Sequence, residues 1–393
     1  MTPEAAALGR RLAKARDGAG FTQEEVALLL GVHRPVVAAW EGGTRRPNAH
    51  QLDQLSAIYR VRVDELLGEA ARSRPEFARL LFRDAGDRLD PRGKAEIQAF
   101  LTFLDDYGDF LESLGEPPGL GEPPFSVREG FGSKEDLRRK ASEARAFFRL
   151  GLGPVGDLTA LADRVGITVY LAPLSGDLDT TVSGAFLPHD RVGFAILVNT
   201  ETTPGRRQFT LAHELGHALF HGDRLYVDYP GRREVAERFA NAFASEFLVP
   251  TQSLRAAVEA MGVPKVRHPE VVVHLQRFFG VSYSMMLVRL RGAGLLDEDE
   301  LPHLRAVQPV HLADALGYSV DPEEWAQDPS RAGLSRFPRR FLRLLRRALQ
   351  EDRMTLSGAA SMTGLAQEEI EEFLAPRPSP EGQDGDFEFL SAA

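Results

Sequence analysis

The segment TLAHELGHALFHGD places two histidines, His213 and His217, four residues apart, with Glu214 directly after the first. On an α-helix that spacing puts both imidazoles on one face, about 6 Å apart along the axis, so two ring nitrogens reach one metal ion. Glu214 is then placed to take a proton from a water polarised by that ion without itself binding the metal. The chemistry of such a trio is metal-assisted hydrolysis. A zinc ion lowers the pKa of its water towards about 7, and the carboxylate hands the proton on to a leaving amine.

A catalytic zinc takes three protein ligands and keeps a fourth position open. Two residues compete for the third place. His221 continues the i+4 row, but on a straight helix it lies a further turn along the axis, out of reach of the same ion. Glu237 opens the pattern Glu237-x-x-Ala240-Asn241 on the following helix. Asn241, one turn on, is placed to hydrogen-bond a ligand histidine from behind. The expected set is His213, His217 and Glu237, supported by Asn241 and by His221 at the helix end. Two histidines and a glutamate suit Zn2+, and also Mn2+ or Fe2+. The H-E-x-x-H pattern alone arises by chance. Here Gly216 sits between the histidines, and Leu211, Ala212, Ala218, Leu219 and Phe220 mark a buried helix. Buried polar side chains need partners, and a metal supplies one.

The elements around this helix indicate several units. Residues 1–68 predict a bundle of short helices, with apolar residues at helical spacing in EEVALLL, VVAAWE and LDQLSAIY. Residues 69–114 predict a helical connector, and the Pro- and Gly-dense 115–125 a linker. Residues 126–298 predict an α+β domain. ITVYLAP and GFAILVN read as strands, with VSGAFLP as a third, and two long helices follow near 205–221 and 231–248. Residues 299–375 predict a mostly helical region, and the acidic 376–393 a disordered tail. The fold class is therefore multidomain: an all-α bundle, an α+β domain and a helical C-terminal region.

Composition narrows the functions. The net charge is −10, which excludes bulk nucleic-acid binding driven by overall charge. There are no cysteines, so disulfides are excluded and any metal is held by histidines and carboxylates. No run of 18 or more apolar residues predicts a membrane span. The charged amphipathic start, with Arg10, Arg11, Lys14 and Arg16, lacks the apolar core of a signal peptide. The expected location is the cytoplasm, with no membrane partner.

Over residues 135 to 296 the chain resembles the ImmA/IrrE family of bacterial metallopeptidases. The matching segments, in the family's order, are LGLGPVGDLTALADRVGITVY, VSGAFLP, ILVNTETTPGRRQFTLAHELGHALFH, ERFANAFASEFLVP and VSYSMMLVRLRGAGLL. The resemblance implies a zincin-like fold, His213, His217 and Glu237 as zinc ligands and Glu214 as general base. It also implies a narrow substrate class, helix-turn-helix repressors cleaved in a stress, DNA-damage or mobile-element response. Hydrolysis further needs a donor for the developing oxyanion. Tyr226, Tyr229, Tyr283 and His274 are candidates, and Tyr283, in the family-like VSYSMMLVRL, is the first choice.

Residues 7 to 67 resemble an XRE-type helix-turn-helix of the phage-repressor kind. Thr22 caps the first motif helix in this reading, Gly31 serves the turn, and Val32, Val37 and Trp40 belong to the core. The resemblance implies phosphate contacts from Gln23 and the Thr44-Arg45-Arg46 loop, and a helix starting near His33 in the major groove. Only His33 and Arg34 offer side chains suited to base edges, because Pro35, Val36, Ala38 and Ala39 follow. Residues 1–68 hold nine basic against eight acidic residues, a near-neutral module. Its partner is DNA, duplex or single-stranded, or a similar repressor domain, and many such modules form homodimers. Arg339, Arg340, Arg343, Arg346 and Arg347 form a second basic feature, read as a solvated helix face or a nucleic-acid surface. Two functions compete: a zinc peptidase that cleaves a repressor, or a DNA-binding or antitoxin-like regulator whose peptidase fold is a sensor or scaffold.

Overall fold

The computed structural model describes residues 3–59, 61, 63–67, 90–125, 133–174, 182–222, 230–319 and 333–375. The expected tail 376–393 and the first part of the expected connector lie outside them. Among the described residues no single helix is long and apolar enough to cross a membrane.

Five helices form the N-terminal bundle: α1 (Pro3–Gly18), α2 (Gln23–Leu30), α3 (Arg34–Glu41), α4 (Ala49–Tyr59) and α5 (Val63–Leu67). Thr22 starts α2 through a capping box: its hydroxyl accepts the Glu25 N–H at 3.2 Å, and its own N–H donates to Glu25 Oε2 at 2.7 Å. Gly31 ends α2 at φ 64°, the left-handed region that lets the chain turn into α3. Val37 and Trp40 are buried in the bundle core, and Val32 packs partly buried against it.

The α+β part holds α7 (Lys134–Phe147), α8 (Leu158–Arg164), β1 (Thr168–Ala172), β2 (Gly184–His189), β3 (Gly193–Asn199), α9 (Pro204–Phe220) and α10 (Pro230–Leu248). α11 (Thr251–Ala260), α12 (Pro269–Phe279) and α13 (Tyr283–Gly292) follow. The sheet order is β1-β3-β2. β1 runs parallel to β3 with Thr168 opposite Ala195, and β2 antiparallel with Gly184 opposite Val198. Every residue of β3 is buried. That explains its continuous apolar run, since a strand covered on both faces has no reason to alternate.

Two cores meet at this sheet. Val169, Phe186, Phe194, Ile196 and Val198 face the core shared with α8 to α13. Tyr170, Ala172, Leu187, Ala195 and Leu197 face a second core built with α6 (Pro91–Leu114) and the C-terminal helices. Phe103 of α6 touches Tyr170 at 5.2 Å and meets Phe341 edge to face at 5.0 Å between ring centroids. Burying a side chain of that size contributes about 1.5–3 kcal/mol, so α6 is structural. This departs from the expected connector: the described helix is one layer of the domain. The expected linker departs too. Gly119 N–H donates to the Val192 carbonyl at 2.8 Å, Leu120 N–H to Gly166 at 2.9 Å and Phe125 N–H to Leu219 at 3.2 Å. Its prolines and glycines fit a chain pinned flat across the fold.

The C-terminal region contains α14 (Leu301–Arg305), α15 (Pro309–Ala315), α16 (Arg339–Gln350), α17 (Leu356–Thr363) and α18 (Gln367–Leu374). α16 lays Phe341, Leu344, Leu345 and Ala348 into the second core.

Candidate metal centre

α9 starts with Pro204 at a first-turn position, where its missing N–H costs nothing. Its apolar face, Leu211, Leu215, Ala218 and Leu219, is buried at helical spacing. Two glycines let the helix come close to its neighbours. A Cβ on Gly216 would lie 2.9 Å from the Phe243 ring of α10, and one on Gly184 would lie 2.5 Å from Thr210 and 2.9 Å from the Leu197 carbonyl. α9 is thereby wedged between α10 and the sheet, which fixes the heights of its polar residues.

His213, His217 and Glu237 each bring one ligand atom into a group whose members lie within 4.8 Å of one another. His213 Nε2 stands 3.2 Å from His217 Nε2 and 3.2 Å from Glu237 Oε2, and His217 Nε2 stands 3.7 Å from Glu237 Oε1. Zinc bonds of about 2.0–2.1 Å at tetrahedral angles put donor atoms about 3.3 Å apart, so the spacing suits one such ion.

The far sides of the rings are held as well. His213 Nδ1 lies 3.1 Å from Asn241 Oδ1, and His217 Nδ1 lies 3.1 Å from His221 Nδ1. An amide oxygen only accepts, so His213 donates from Nδ1, and the neutral ring keeps its Nε2 lone pair for a cation. Burial pushes the His221 pKa down to about 3, with His217 adding to the effect, so His221 is neutral. Burial also works against protonation of His213, but the Glu237 carboxylate and neighbouring Glu214 outweigh it and raise its pKa. The His213 and His217 rings beside it hold the Glu237 carboxyl well below the usual range. Together these shifts describe a site that favours positive charge at its centre.

Glu214 is buried beside the group, and burial raises its pKa although both histidines oppose the shift. The Phe186 N–H of β2 hydrogen-bonds its carboxylate. A raised pKa suits a group that must give a proton up again as well as take it. The Phe186 contact escapes sequence reading, because it depends on which end of β2 lies under α9.

Tyr283 is not brought to this group. Its hydroxyl donates to the Leu304 carbonyl at 3.1 Å, and burial pushes its pKa up to about 12. The resemblance of its segment carried no information on where the side chain points. His274 is engaged elsewhere, with Nδ1 2.7 Å from the Tyr318 hydroxyl. Tyr226 and Tyr229 lie outside the described residues.

On the N-terminal module, His33 and Arg34 are exposed at the start of α3, and Arg45 and Arg46 are exposed after it. Gln23 instead donates to Glu41 Oε2 at 2.9 Å, and the Thr44 hydroxyl to the Ala39 carbonyl at 3.1 Å. The five C-terminal arginines are all engaged within the chain. Arg339 pairs with Asp157, Arg343 with Asp163 at 3.0 Å, and Arg347 with Glu116 at 2.6 Å. Arg340 donates to the Pro117 carbonyl at 2.6 Å and Arg346 to Phe373 at 2.7 Å. They clasp α16 to the fold, so a free nucleic-acid surface is not what the run builds.

Comparison with known proteins agrees with this architecture. The family model described as the IrrE N-terminal-like domain, a peptidase family, matches residues 162–291, and one described as helix-turn-helix matches residues 12–66. The radiation response metalloprotease IrrE of Deinococcus deserti is 38% identical over 94 residues, 22% of this chain and 31% of that protein. Its counterpart in Deinococcus radiodurans is 37% identical over 86 residues, 20% of this chain and 25% of that protein. The chain thus spans a third or less of the length of these two relatives. The HTH-type transcriptional regulator ImmR of Bacillus subtilis is 32% identical over 105 residues, 27% of this chain and 80% of that protein. The chain therefore joins an N-terminal helix-turn-helix domain, shared with ImmR, to a domain over residues 162–291 that matches the IrrE-like peptidase family.

Proposed function

We propose that this chain is a cytoplasmic, regulatory zinc-dependent endopeptidase whose substrate is a helix-turn-helix transcriptional repressor. His213, His217 and Glu237 hold the zinc, and Mn2+ or Fe2+ can take the same place. The observation that carries the reading is the convergence of three donor atoms at near-tetrahedral spacing, with the rear nitrogen of each histidine already hydrogen-bonded. A zinc ion there supplies Lewis acidity towards a carbonyl and lowers the pKa of water. Glu214 takes the proton of the attacking water at its carboxylate and delivers it to the amide nitrogen that leaves. Asn241 and His221 keep the ligand rings in the required tautomer. The relatives' names, a radiation response metalloprotease and a transcriptional regulator, support a stress-linked regulatory role.

The helix-turn-helix module binds DNA in this reading, with His33 and Arg34 at base edges and Arg45 and Arg46 on phosphates. The near-neutral charge of residues 1–68 makes the affinity modest. The test is metal content of the purified chain beside His213→Ala and Glu237→Ala, followed by incubation with helix-turn-helix repressors, with Glu214→Gln as control. The expected result is about one zinc per chain, lost in both ligand variants, and repressor cleavage that Glu214→Gln abolishes. No metal uptake after zinc is offered overturns the peptidase and leaves a DNA-binding regulator.

A further inference from the structure

The arginines of α16 are committed within the chain, but the cations around α3 are not. Arg34 stands in the first turn of α3, and Arg45 and Arg46 follow its end. All three are exposed, and among the described residues none has an ion pair or a side-chain hydrogen bond. Glu41, the carboxylate closest to them in sequence, is taken up by Arg16 at 2.6 Å and by Gln23 at 2.9 Å. The two ends of α3 therefore carry guanidinium groups that no carboxylate of the described residues neutralises. The surface between them is apolar. Pro35 is exposed, Val36, Ala38 and Ala39 are half-buried, and Leu28 of α2 is 74% exposed.

The complement of this face stands elsewhere in the same sequence. Residues 381–390 read EGQDGDFEFL, with Glu381, Asp384, Asp386 and Glu388, no basic residue, and Phe387, Phe389 and Leu390 among the acids. Acidic stretches of this kind are commonly interaction segments. Carboxylates suit the arginines, and the aromatic side chains suit the apolar surface that offers base edges so few partners.

The described chain ends close enough for the two to meet. Glu25 of α2 pairs with Lys94 of α6 at 2.7 Å, and Glu96, two residues on, pairs with Arg336. Arg336 closes the 3-10 turn Gly333–Arg336, which packs on α18, the last described helix. The module and the end of α18 are thus joined through the first turns of α6. α3 packs on α2, at the usual helix spacing of about 8–10 Å. Eleven residues lead from Ala375 to Asp386, and at about 3.3 Å each they span up to about 36 Å.

We infer that residues 381–390 dock on the recognition face of this chain's own helix-turn-helix module, with carboxylates on Arg34, Arg45 and Arg46 and aromatic side chains on the apolar surface between them. Exposed ion pairs are individually weak, but a tethered segment acts at an effective concentration of about millimolar. On the reading that this face binds DNA, the segment is a built-in competitor of phosphate. The face is then open to DNA only in the fraction of molecules whose segment has left it.

The experiment uses the full chain. Ser391→Cys gives a cysteine-free sequence a single thiol, which carries a benzophenone photo-crosslinker. Crosslinks within one chain are expected on peptides between Leu28 and Arg46. They are expected to disappear in the triple variant Arg34→Gln, Arg45→Gln, Arg46→Gln. Affinity for a mixed-sequence DNA duplex of about 20 base pairs is measured in parallel at about 50 mM salt, where phosphate contacts are strong. The variant Asp384→Asn, Asp386→Asn, Glu388→Gln is expected to bind it about tenfold tighter than the wild type, as a face about nine-tenths occupied by the segment requires. Crosslinks that fall elsewhere, that join only two chains, or that persist in the arginine variant overturn the docking. Equal, measurable DNA affinity of the wild type and the neutralised variant overturns the competition. Crosslinks at the face with no DNA binding by either form uphold the docking and overturn instead the reading of the face as a DNA site.

Discussion

His221 Nδ1 lies 3.1 Å behind His217 Nδ1, although the two residues sit a full helical turn apart. His221 is too far along α9 to join His213 and Glu237, yet it settles how the His217 ring stands. A neutral His221 has a lone pair to offer His217 Nδ1–H, and in that tautomer of His217 the Nε2 lone pair faces His213 and Glu237. Loss of a contact of this kind lowers metal affinity about 10–100-fold. His221→Ala is therefore expected to weaken zinc binding by that factor in chelator competition while the circular dichroism spectrum stays unchanged. Full affinity in the variant removes His221 from the metal centre.

Glu214 separates binding from chemistry. Its carboxylate is hydrogen-bonded by the Phe186 N–H and is not among the three grouped ligand residues. Glu214→Gln preserves size and the acceptor for that N–H but cannot take a proton. Zinc content is expected to stay at the wild-type level while repressor cleavage falls by about 10²–10⁴. Loss of zinc along with activity makes Glu214 a ligand instead of a base.

A pH effect is expected away from the metal, where Glu25 of α2 meets Lys94 of α6 at 2.7 Å. Burial raises the Glu25 pKa, but hydrogen bonds from Lys94 and Thr22 outweigh it and leave the pKa below the ordinary value of a glutamate. A carboxylate with a depressed folded pKa contributes stability that is fully present above its unfolded value. That contribution is lost as pH falls below about 4.5 and through the folded value. Glu25→Gln keeps the capping oxygen and removes the charge. The expected cost is about 1.5 kcal/mol at neutral pH, the low end for a charged hydrogen bond, because the pair is partly solvated. Denaturant unfolding at pH 7 and pH 3.5 checks this. The gap between variant and wild type is expected to narrow at the lower pH, and an equal gap at both rules out the ion pair as its source.

The parts legible in the sequence are those fixed by local geometry. The i+4 spacing of His213 and His217, the Thr22–Glu25 capping box and the uninterrupted apolar run of β3 each depend on a few neighbouring residues. Asn241 reached His213 because both lie on helices with countable turns. The second core was hidden because Phe103 and Phe341 are separated by more than half the chain. Pro- and Gly-rich composition marks a chain without helix or strand, and says nothing of whether Gly119 and Leu120 find partners on Val192 and Gly166. Tyr283 failed for a related reason: the helix it begins was legible, but the side its hydroxyl takes was set by Leu304 in the following segment.

The arginine run gives the sharpest contrast between composition and structure. Arg340 and Arg347 meet Glu116 and Pro117, and Arg343 meets Asp163, so the charges hold α16 in place. Most of these guanidinium groups are partly exposed, and exposed ion pairs contribute about 0–1 kcal/mol each. The apolar face dominates: Phe341 is fully buried among aromatic rings of α6. Phe341→Ala is expected to cost about 3–5 kcal/mol, and the double variant Arg343→Gln, Arg347→Gln at most about 2 kcal/mol. Thermal unfolding separates the two. The same double variant tests the basic surface directly. With its cations committed to Asp163 and Glu116, the affinity of the chain for single-stranded DNA, and the salt dependence of that affinity, are expected to match the wild type. A salt slope shallower by about two would mean that both arginines meet phosphates, and α16 would then be a nucleic-acid surface after all.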